Sequence, residues 1–263
     1  MVEHTFAIIA YKESPHIQEC IDSLKNQSQK SNIVICTSTP SIYLENIAQK
    51  NNLTLFINSN TNGIVGDWNF ALEKTSTNYA TLAHQDDIYH SEYAKIIMTA
   101  AKERNDALII FSDYDELVCT GNKTRIRKNS LNFFVKKTML KFFFNGKTYI
   151  VKNKQKLLAL GNPIGCPTVT FKKNSLGDFK FDKAFSINLD WKAWYDIAQK
   201  KGSFVWVRKI LVSHRIYPES ETSQGLAENR RQQDDLEMFQ KIWPRNIALI
   251  LSKIYSLSYK NNN

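Results

Sequence analysis

Two adjacent carboxylates, Asp86 and Asp87, close the stretch "ATLAHQDD" straight after a short apolar run, with His84 two places before the pair. Hard divalent cations prefer oxygen ligands, and one or two protein carboxylates together with substrate phosphates complete their shell. The chain contains neither G-x-G-x-x-G nor G-x-x-x-x-G-K-[ST]. A nucleotide diphosphate bound here therefore needs its charge neutralised by something other than a glycine-rich loop, and a carboxylate-held Mg²⁺ or Mn²⁺ would serve. The bland alternative is that both acids only decorate a helix start. A second acid spacing, Asp113-x-Asp115 in "SDYDE", follows a later apolar run and reads as loop polarity.

The elements that must position the pair alternate regularly. "FAIIA" (6–10), "NIVIC" (32–36), "LTLFI" (53–57), "YATLA" (79–83) and "ALIIF" (107–111) read as buried strands. Between them, Ser14 and Pro15 open a helix carrying Ile17, Cys20, Ile21 and Leu24. "SIYLENIAQK" (41–50), "GDWNFALEK" (66–74) and a capped "SEYAKIIMTAAKE" (91–103) follow as further helices, with the turn-rich "NSNTNG" (58–63) before the third. Such alternation predicts a mostly parallel α/β sheet with helices on both faces. Ligands bind beyond the carboxyl ends of such strands, where Asp86 and Asp87 stand.

With 263 residues, 43% hydrophobic and 23% charged, the chain has the makings of a globular core. Cys20, Cys36, Cys119 and Cys166 form no C-x-x-C pair, the usage of a reducing compartment. No basic-then-apolar start reads as a signal peptide, and no window reaches the ~18 apolar residues of a membrane span. These features predict a cytoplasmic protein. The net charge of +10 is concentrated: between Glu116 and Asp178 there is no acid, while thirteen Lys and Arg run from Lys123 to Lys173. "LNFFVKKTMLKFFF" (131–144) interleaves Lys136, Lys137 and Lys141 with bulky apolar residues, suiting either an anionic membrane surface or a solvated basic face. No nucleic-acid recognition motif accompanies the charge, so nucleic acid is not the expected partner.

Four ordered stretches resemble glycosyltransferase family 2, inverting enzymes of the Rossmann-like GT-A fold that use nucleotide-sugar donors. "FAIIAYKESPHIQECIDSLKNQS" is similar to their opening strand, loop and helix, and "NTNGIVGDWNFAL" to their N-x-G stretch. "AHQDDIY" stands in the place of their D-x-D segment, and "INLDWKAWYDIAQKKGSFVWV" in that of their acceptor-side helix. The resemblance covers about residues 5 to 223. It implies a bacterial enzyme of glycan, polysaccharide or capsule assembly, cytoplasmic or peripheral on the inner face of the cell membrane, moving a hexose from a UDP-sugar to a glycan or lipid-linked glycan acceptor.

Residue by residue, the resemblance makes Asp86 the metal-contacting aspartate and puts His84, which brings no negative charge, at the first aspartate position. Asp190 falls at the position of the general base, where an N-cap is the bland reading. In "LVSHRIYPESETS" (211–223), Tyr217 takes the family's histidine position in strict register and His214 precedes it by three, so His214 is carried as the second metal residue. Arg215 keeps the arginine place and could fork a diphosphate, and Ser220 and Thr222 resemble the hydroxyl-bearing stretch that follows. The loop residues Ala10, Tyr11 and Glu13, with Thr37 or Ser38, Asp67, Asn69, His84 and Gln85, are the implied donor contacts. Thr168 in "GNPIGCPTVTFKK" and Trp191 join Asp190 as implied acceptor contacts.

The expected organisation is a GT-A domain over 1–223, with a nucleotide-sugar half to about 115, a basic aromatic insert at about 117–160 and an acceptor half at about 160–223. A basic helical extension follows over 224–263. There "LAENRRQQDDLEMFQKIW" is a polar helix, and after Pro244 the residues Ile247, Ile250, Leu251, Ile254 and Leu257 form one apolar face. That face fits the catalytic domain, a second subunit or lipid. Two readings of other classes stand beside the transferase: a basic α/β nucleic-acid-binding protein, and an inactive glycosyltransferase-like scaffold, the latter suggested by the missing first aspartate.

Overall fold

The computed structural model describes residues 2–60, 63–120, 123–128, 131–185, 187–217 and 230–257. Ser220 and Thr222 lie outside them. Strand β1 (His4–Ala10) is buried along its whole length, and its apolar residues serve two cores by simple alternation. Phe6, Ile8 and Ala10 pack under α1 (Ile17–Lys25), α2 (Ile42–Asn51) and α4 (Tyr93–Glu103), while Ala7 and Ile9 join the opposite core with α3 (Gly63–Lys74). This is the continuous apolar strand that helices on both faces demand.

The remaining strands are β2 (Asn32–Thr37), β3 (Thr54–Ile57), β4 (Tyr79–His84), β5 (Ile88–Tyr89), β6 (Ala107–Thr120), β7 (Lys123–Arg127), β8 (Tyr149–Ile150), β9 (Val169–Lys172) and β10 (Ser203–Ile216). Their order is β3-β2-β1-β4-β9-β6-β10-β5, with β7 paired to β6 and β8 to β10. The pairs β3–β2, β2–β1, β1–β4 and β6–β10 are parallel. Short β9 enters antiparallel between β4 and β6 and joins the two halves of the sheet.

Helices α5 (Leu131–Phe143), α6 (Lys154–Leu157), α7 (Lys173–Leu176), α8 (Leu189–Gln199), α9 (Arg230–Ile242) and α10 (Arg245–Leu257) complete the chain. The C-terminal pair docks on α8 and the segment before it. Phe239 and Tyr255 lie 5.1 and 5.6 Å from the Trp191 ring, Trp243 Nε1 donates to the Ala159 carbonyl at 2.8 Å, and Tyr255 covers Gly161, where a Cβ would come within 2.7 Å of its ring. Ile247, Ile250 and Ile254 remain exposed. No helix among the described residues is long and apolar enough to cross a membrane.

Several local expectations change. Helix α1 begins at Ile17, with His16 in the cap position and Ser14 Oγ accepting from His16 N in the turn before it. Helix α4 starts at Tyr93 without a side-chain cap, and α3 reaches back to Gly63. "SDYDE" is no loop: it lies inside the fourteen-residue β6, continued by parallel pairing with β10 and a hairpin with β7. Extra partners beyond the apolar core hold this polar stretch extended.

Candidate active site

Two-residue β5 does the first positioning step. Its antiparallel pairing of Ile88 with Ser213 and Tyr89 with Val212 lays the turn after β4 against the end of β10. The turn is closed by the Asp87 N bond to the His84 carbonyl at 3.2 Å. Asp87 is thereby sealed, with 0% of its surface exposed. Its Oδ1 accepts from Arg215 N at 2.8 Å and lies 2.9 Å from His214 Nδ1, and its Oδ2 is 3.8 Å from His84 Nδ1. Burial pushes the Asp87 carboxyl up, but the bond and charge of His214 outweigh it and hold the group below the usual carboxylate range. Burial likewise lowers His214, yet Asp87, Asp86 and Glu116 raise it to about 9.

His84, Asp87 and His214 present ligand atoms all within 4.8 Å of one another. Asp87 Oδ2 is buried without a hydrogen-bond partner, a cost of about 1–3 kcal/mol that a cation would offset. The donor set, one carboxylate and two imidazoles, suits a divalent metal, and a metal would have to displace the proton on His214. The sequence reading put the metal on Asp86 and His214; the cluster joins His214 with Asp87 and His84 instead, and Asp86 stands just outside. Partly exposed Asp86 takes a hydrogen bond from the Tyr217 side chain, and burial followed by the charge of Asp87 raises its carboxyl. His84 and His214 both act on its charge.

Arg215 is not a free diphosphate fork. It is 4% exposed, and its guanidinium donates to the Asp86 carbonyl at 2.8 Å, to Cys119 Sγ and to Glu19 Oε2. A buried cation whose guanidinium is tied to the main chain of Asp86 holds the acid turn in place.

On the donor side, the Gln85 amide clamps the Tyr11 main chain in both directions: Tyr11 N donates to Oε1 at 3.2 Å and Nε2 donates to the Tyr11 carbonyl at 2.9 Å. Gln85 thus shapes the loop at Ala10, Tyr11 and Glu13, with its own amide engaged there. Asp67 is buried and accepts from Ser38 Oγ at 2.6 Å and Asn58 Nδ2 at 3.0 Å. Thr37 is fully buried, 3.3 Å from Thr39 Oγ1, and Lys12 N donates to that same Thr39 hydroxyl at 2.6 Å. These bonds gather the ends of β1, β2 and β3 around one wall. Asn69 departs from expectation, because both ends of its amide are taken by the Phe181 main chain.

Asp190, expected on the acceptor side, is not a cap. Asn188 holds the cap position of α8, and Asp190 is the second helical residue. Its Oδ2 accepts from Asn162 Nδ2 at 2.8 Å and its Oδ1 from Trp191 N at 2.7 Å. Burial raises its carboxyl, opposed by the Trp191 N–H and by the charges of Arg231, Lys136 and His84. The base candidate and the metal cluster therefore sit within electrostatic reach of one another. Trp191 and Thr168, expected at the acceptor, are both fully buried. Trp191 Nε1 donates to the Leu158 carbonyl and Thr168 Oγ1 to the Gly165 carbonyl, so both serve packing. In the other acid pair, Asp113 accepts from Trp206 Nε1 at 2.8 Å and lies 3.7 Å from Lys137, while Asp115 is buried. Neither belongs to the cluster.

Sequence reasoning passed over Asn162, which positions Asp190, and Asp234. Asp234 Oδ2 accepts from Ile187 N and Asn188 N at 2.6 and 3.0 Å, and Asn188 Nδ2 donates to Asp235 at 2.6 Å. Asn162 lies in the quoted "GNPIG" segment, but nothing local marks Asp234 as the clamp on α8.

Residues 5–169 match the model of Glycosyl transferase family 2, more than half of the chain, and the chain belongs to that family. Among solved structures it is similar in fold to a mannosyltransferase, PcManGT from Pyrobaculum calidifontis in complex with GDP-Man and Mn²⁺, at 14% identity and a TM-score of 0.67, over 97% of this chain and 69% of that one. It is also similar to S. aureus TarS 1–349 in complex with UDP-GlcNAc, at 14% identity and a TM-score of 0.64, over 95% of this chain and 70% of that one. Against a longer TarS chain the identity is 14% and the TM-score 0.59, and 90% of this chain spans 39% of that length. No curated protein matches. The fold is the GT-A type expected from the sequence.

Proposed function

We propose that the chain is an inverting glycosyltransferase that moves a hexose from a nucleotide diphosphate sugar, a UDP-sugar, to a hydroxyl of a glycan or lipid-linked glycan. The observation that carries this reading is the pairing of Asp190, a carboxylate raised by burial, with the acid–histidine cluster whose His84 acts on it. Family membership and the nucleotide sugars bound by the similar structures support it. The acceptor hydroxyl attacks the anomeric carbon as its proton passes to Asp190. The bond from that carbon to the diphosphate breaks, and the electron pair leaves with the diphosphate. Asn162 orients the carboxylate, and its raised pKa makes it a stronger base than an exposed aspartate.

Mn²⁺ or Mg²⁺, when bound, supplies positive charge to the leaving diphosphate. His84, Asp87 and His214 would hold the ion, and Asp86, just outside that cluster, would reach it from the donor side. Titrating UDP with and without Mn²⁺ by calorimetry tests this. Asp86→Asn should lose the metal-dependent part of UDP binding. Full metal-dependent binding in Asp86→Asn, with loss only in Asp87→Asn, would move the cation wholly onto the buried cluster.

The enzyme works at the inner face of the cell membrane. Phe134 and Phe142, 70% and 77% exposed, flank Lys137 and Lys141 on α5, and Ile247, Ile250 and Ile254 lie open on α10. Lys136 drops out of this surface because it is turned onto Tyr114, its Nζ donating to the phenol oxygen at 2.9 Å. Each basic residue near an anionic surface contributes about 1 kcal/mol, so Lys137→Glu with Lys141→Glu should weaken binding to anionic vesicles. Equal binding to neutral vesicles would remove the electrostatic anchor. A dimer in sedimentation that Ile250→Asp dissociates would assign the α10 strip to a subunit contact.

A further inference from the structure

Between β6 and α5 lies a cavity of about 330 Å³ that the donor chemistry leaves unused. Its charged lining is one-sided. Lys136, Lys137 and Lys141 of α5 and Lys128, just past β7, converge on it, and Asp113, 3.7 Å from Lys137, is the acid among its lining residues. Lys137 and Lys141 stand one helical turn apart and share a face of α5. Phe133, Leu140 and Ile210 give the cavity apolar walls.

Its position is as telling as its charge. Pro163 lines the cavity, and the preceding residue, Asn162, donates to Asp190 at 2.8 Å. Tyr114 forms another wall, held by Lys136 at 2.9 Å, with its ring 6.3 Å from the His214 ring. Gly165 keeps this wall close, since a Cβ there would come within 2.7 Å of the Tyr114 ring. The cavity thus lies one residue from the partner of the proposed base and one ring from the metal cluster, where the non-reacting part of an acceptor would lie.

We propose that this cavity binds a phosphate group of the acceptor, holding it on Lys128, Lys137 and Lys141 so that the attacking hydroxyl meets Asp190. The assignment rests on the transferase reading and narrows its acceptor to a phosphate-bearing one. Phosphate fits better than a bare sugar: three ammonium groups facing the single carboxylate of Asp113 leave net positive charge that favours an anion, and charge-assisted bonds are roughly twice as strong as neutral ones. The apolar walls suit a chain attached to that phosphate.

The test is equilibrium binding of three probes to the full chain: decyl phosphate below its micelle concentration, decanol, and a glycerol-phosphate oligomer. UDP with Mn²⁺ is measured on the same samples. Decyl phosphate or the oligomer should bind, decanol should bind far more weakly, and Lys137→Ser with Lys141→Ser should weaken the phosphate probe about tenfold or more while leaving UDP binding unchanged. Lys137 and Lys141 are exposed, so this variant keeps its fold. Preference for decyl phosphate assigns the group to a lipid carrier, and preference for the oligomer to a phosphate-containing glycan. No phosphate binding, equal binding of decanol, or an unchanged affinity in the double variant overturns the proposal. Loss of UDP binding in the unaltered protein would instead undo the transferase reading, so the two failures are distinct.

Discussion

The two sides of the cleft are held by different means. On the donor side, His84 ends β4, His214 lies within β10, and β5 pins the turn bearing Asp86 and Asp87 between them, so main-chain register sets the site. On the acceptor side, Asp190 rides the first turn of α8, and the segment leading into it is fastened by side chains from α9, above all Asp234. A register is shared among many hydrogen bonds and tolerates the loss of one. A clamp made by one carboxylate does not. The donor side should therefore be robust to single side-chain changes outside its ligands, and the acceptor side fragile.

The largest effect falls on the proposed base. Asp190→Asn should cut sugar transfer by about 10²–10⁴-fold, the usual cost of a lost general base, with UDP affinity nearly intact. Normal turnover in this variant would shift the role elsewhere, with Asp182 the next candidate. That residue is already paired with Lys192 at 3.2 Å. In the unaltered enzyme Asp190 must be ionised to take a proton. Because burial raises it, kcat/KM should fall on the acid side at a pH above the ordinary carboxylate range, and the limb should vanish in Asp190→Asn.

Next in size is a stability effect rooted in the donor half. His4 is buried between Ser31 and Thr81, at 2.8 and 2.9 Å, and burial lowers it to about 3. The unfolded chain takes up that proton near pH 6.5 and the folded chain only near 3. Its contribution is therefore complete above pH 6.5 and is lost as pH falls toward 3, amounting to about 3 kcal/mol by pH 4. Urea unfolding at pH 7 and pH 4 should show a smaller pH penalty in His4→Gln. An equal penalty in both proteins would place the acid sensitivity elsewhere.

The acceptor clamp comes third. Asp234→Ala removes two main-chain partners ahead of α8, and a misplacement of the order of 1 Å costs about 10²-fold. The loss should appear in kcat for transfer, with UDP binding unchanged; a change in UDP binding alone would contradict the division between the two sides. Smallest is Gln85→Ala, which frees the Tyr11 loop at about 1 kcal/mol, a few-fold in donor KM. A hundredfold loss there would mean that the donor loop, too, hangs on one side chain.

The alternation of apolar runs made the parallel half of the sheet legible, and the acid pair past β4 followed from where such strands end. Asp190 was singled out through its family position, and the structure brings it within electrostatic reach of His84. What escaped were the partners each side chain is committed to, most of them distant in the chain. Arg215, Asn69, Thr168 and Trp191 stand where the family pattern puts contacts, but their polar atoms are committed to Glu19, Phe181, Gly165 and Leu158. A sequence gives a position along an element, not which neighbour reaches it first. The polar "SDYDE" looked like a loop because its strand pairings lie outside the apolar core. Two-residue β5 is too short to leave any periodic signal, yet it decides that Asp87 meets His214.

Strand β9 also carries a consequence for how the molecule comes into being. Synthesis delivers β1 to β4 long before residue 169, yet β4 and β6 are joined only through β9. Until Val169–Lys172 has left the ribosome, the nascent donor half ends in an unpaired β4 edge at Tyr79, Ala80 and Thr81. Open edges of this kind recruit other strands, and closing so long a loop is slow. The strand that completes the sheet is therefore also the latch on its assembly. Polar substitutions on the buried face of β9, such as Phe171→Asp, should be felt as aggregation during expression before any catalytic defect can be measured.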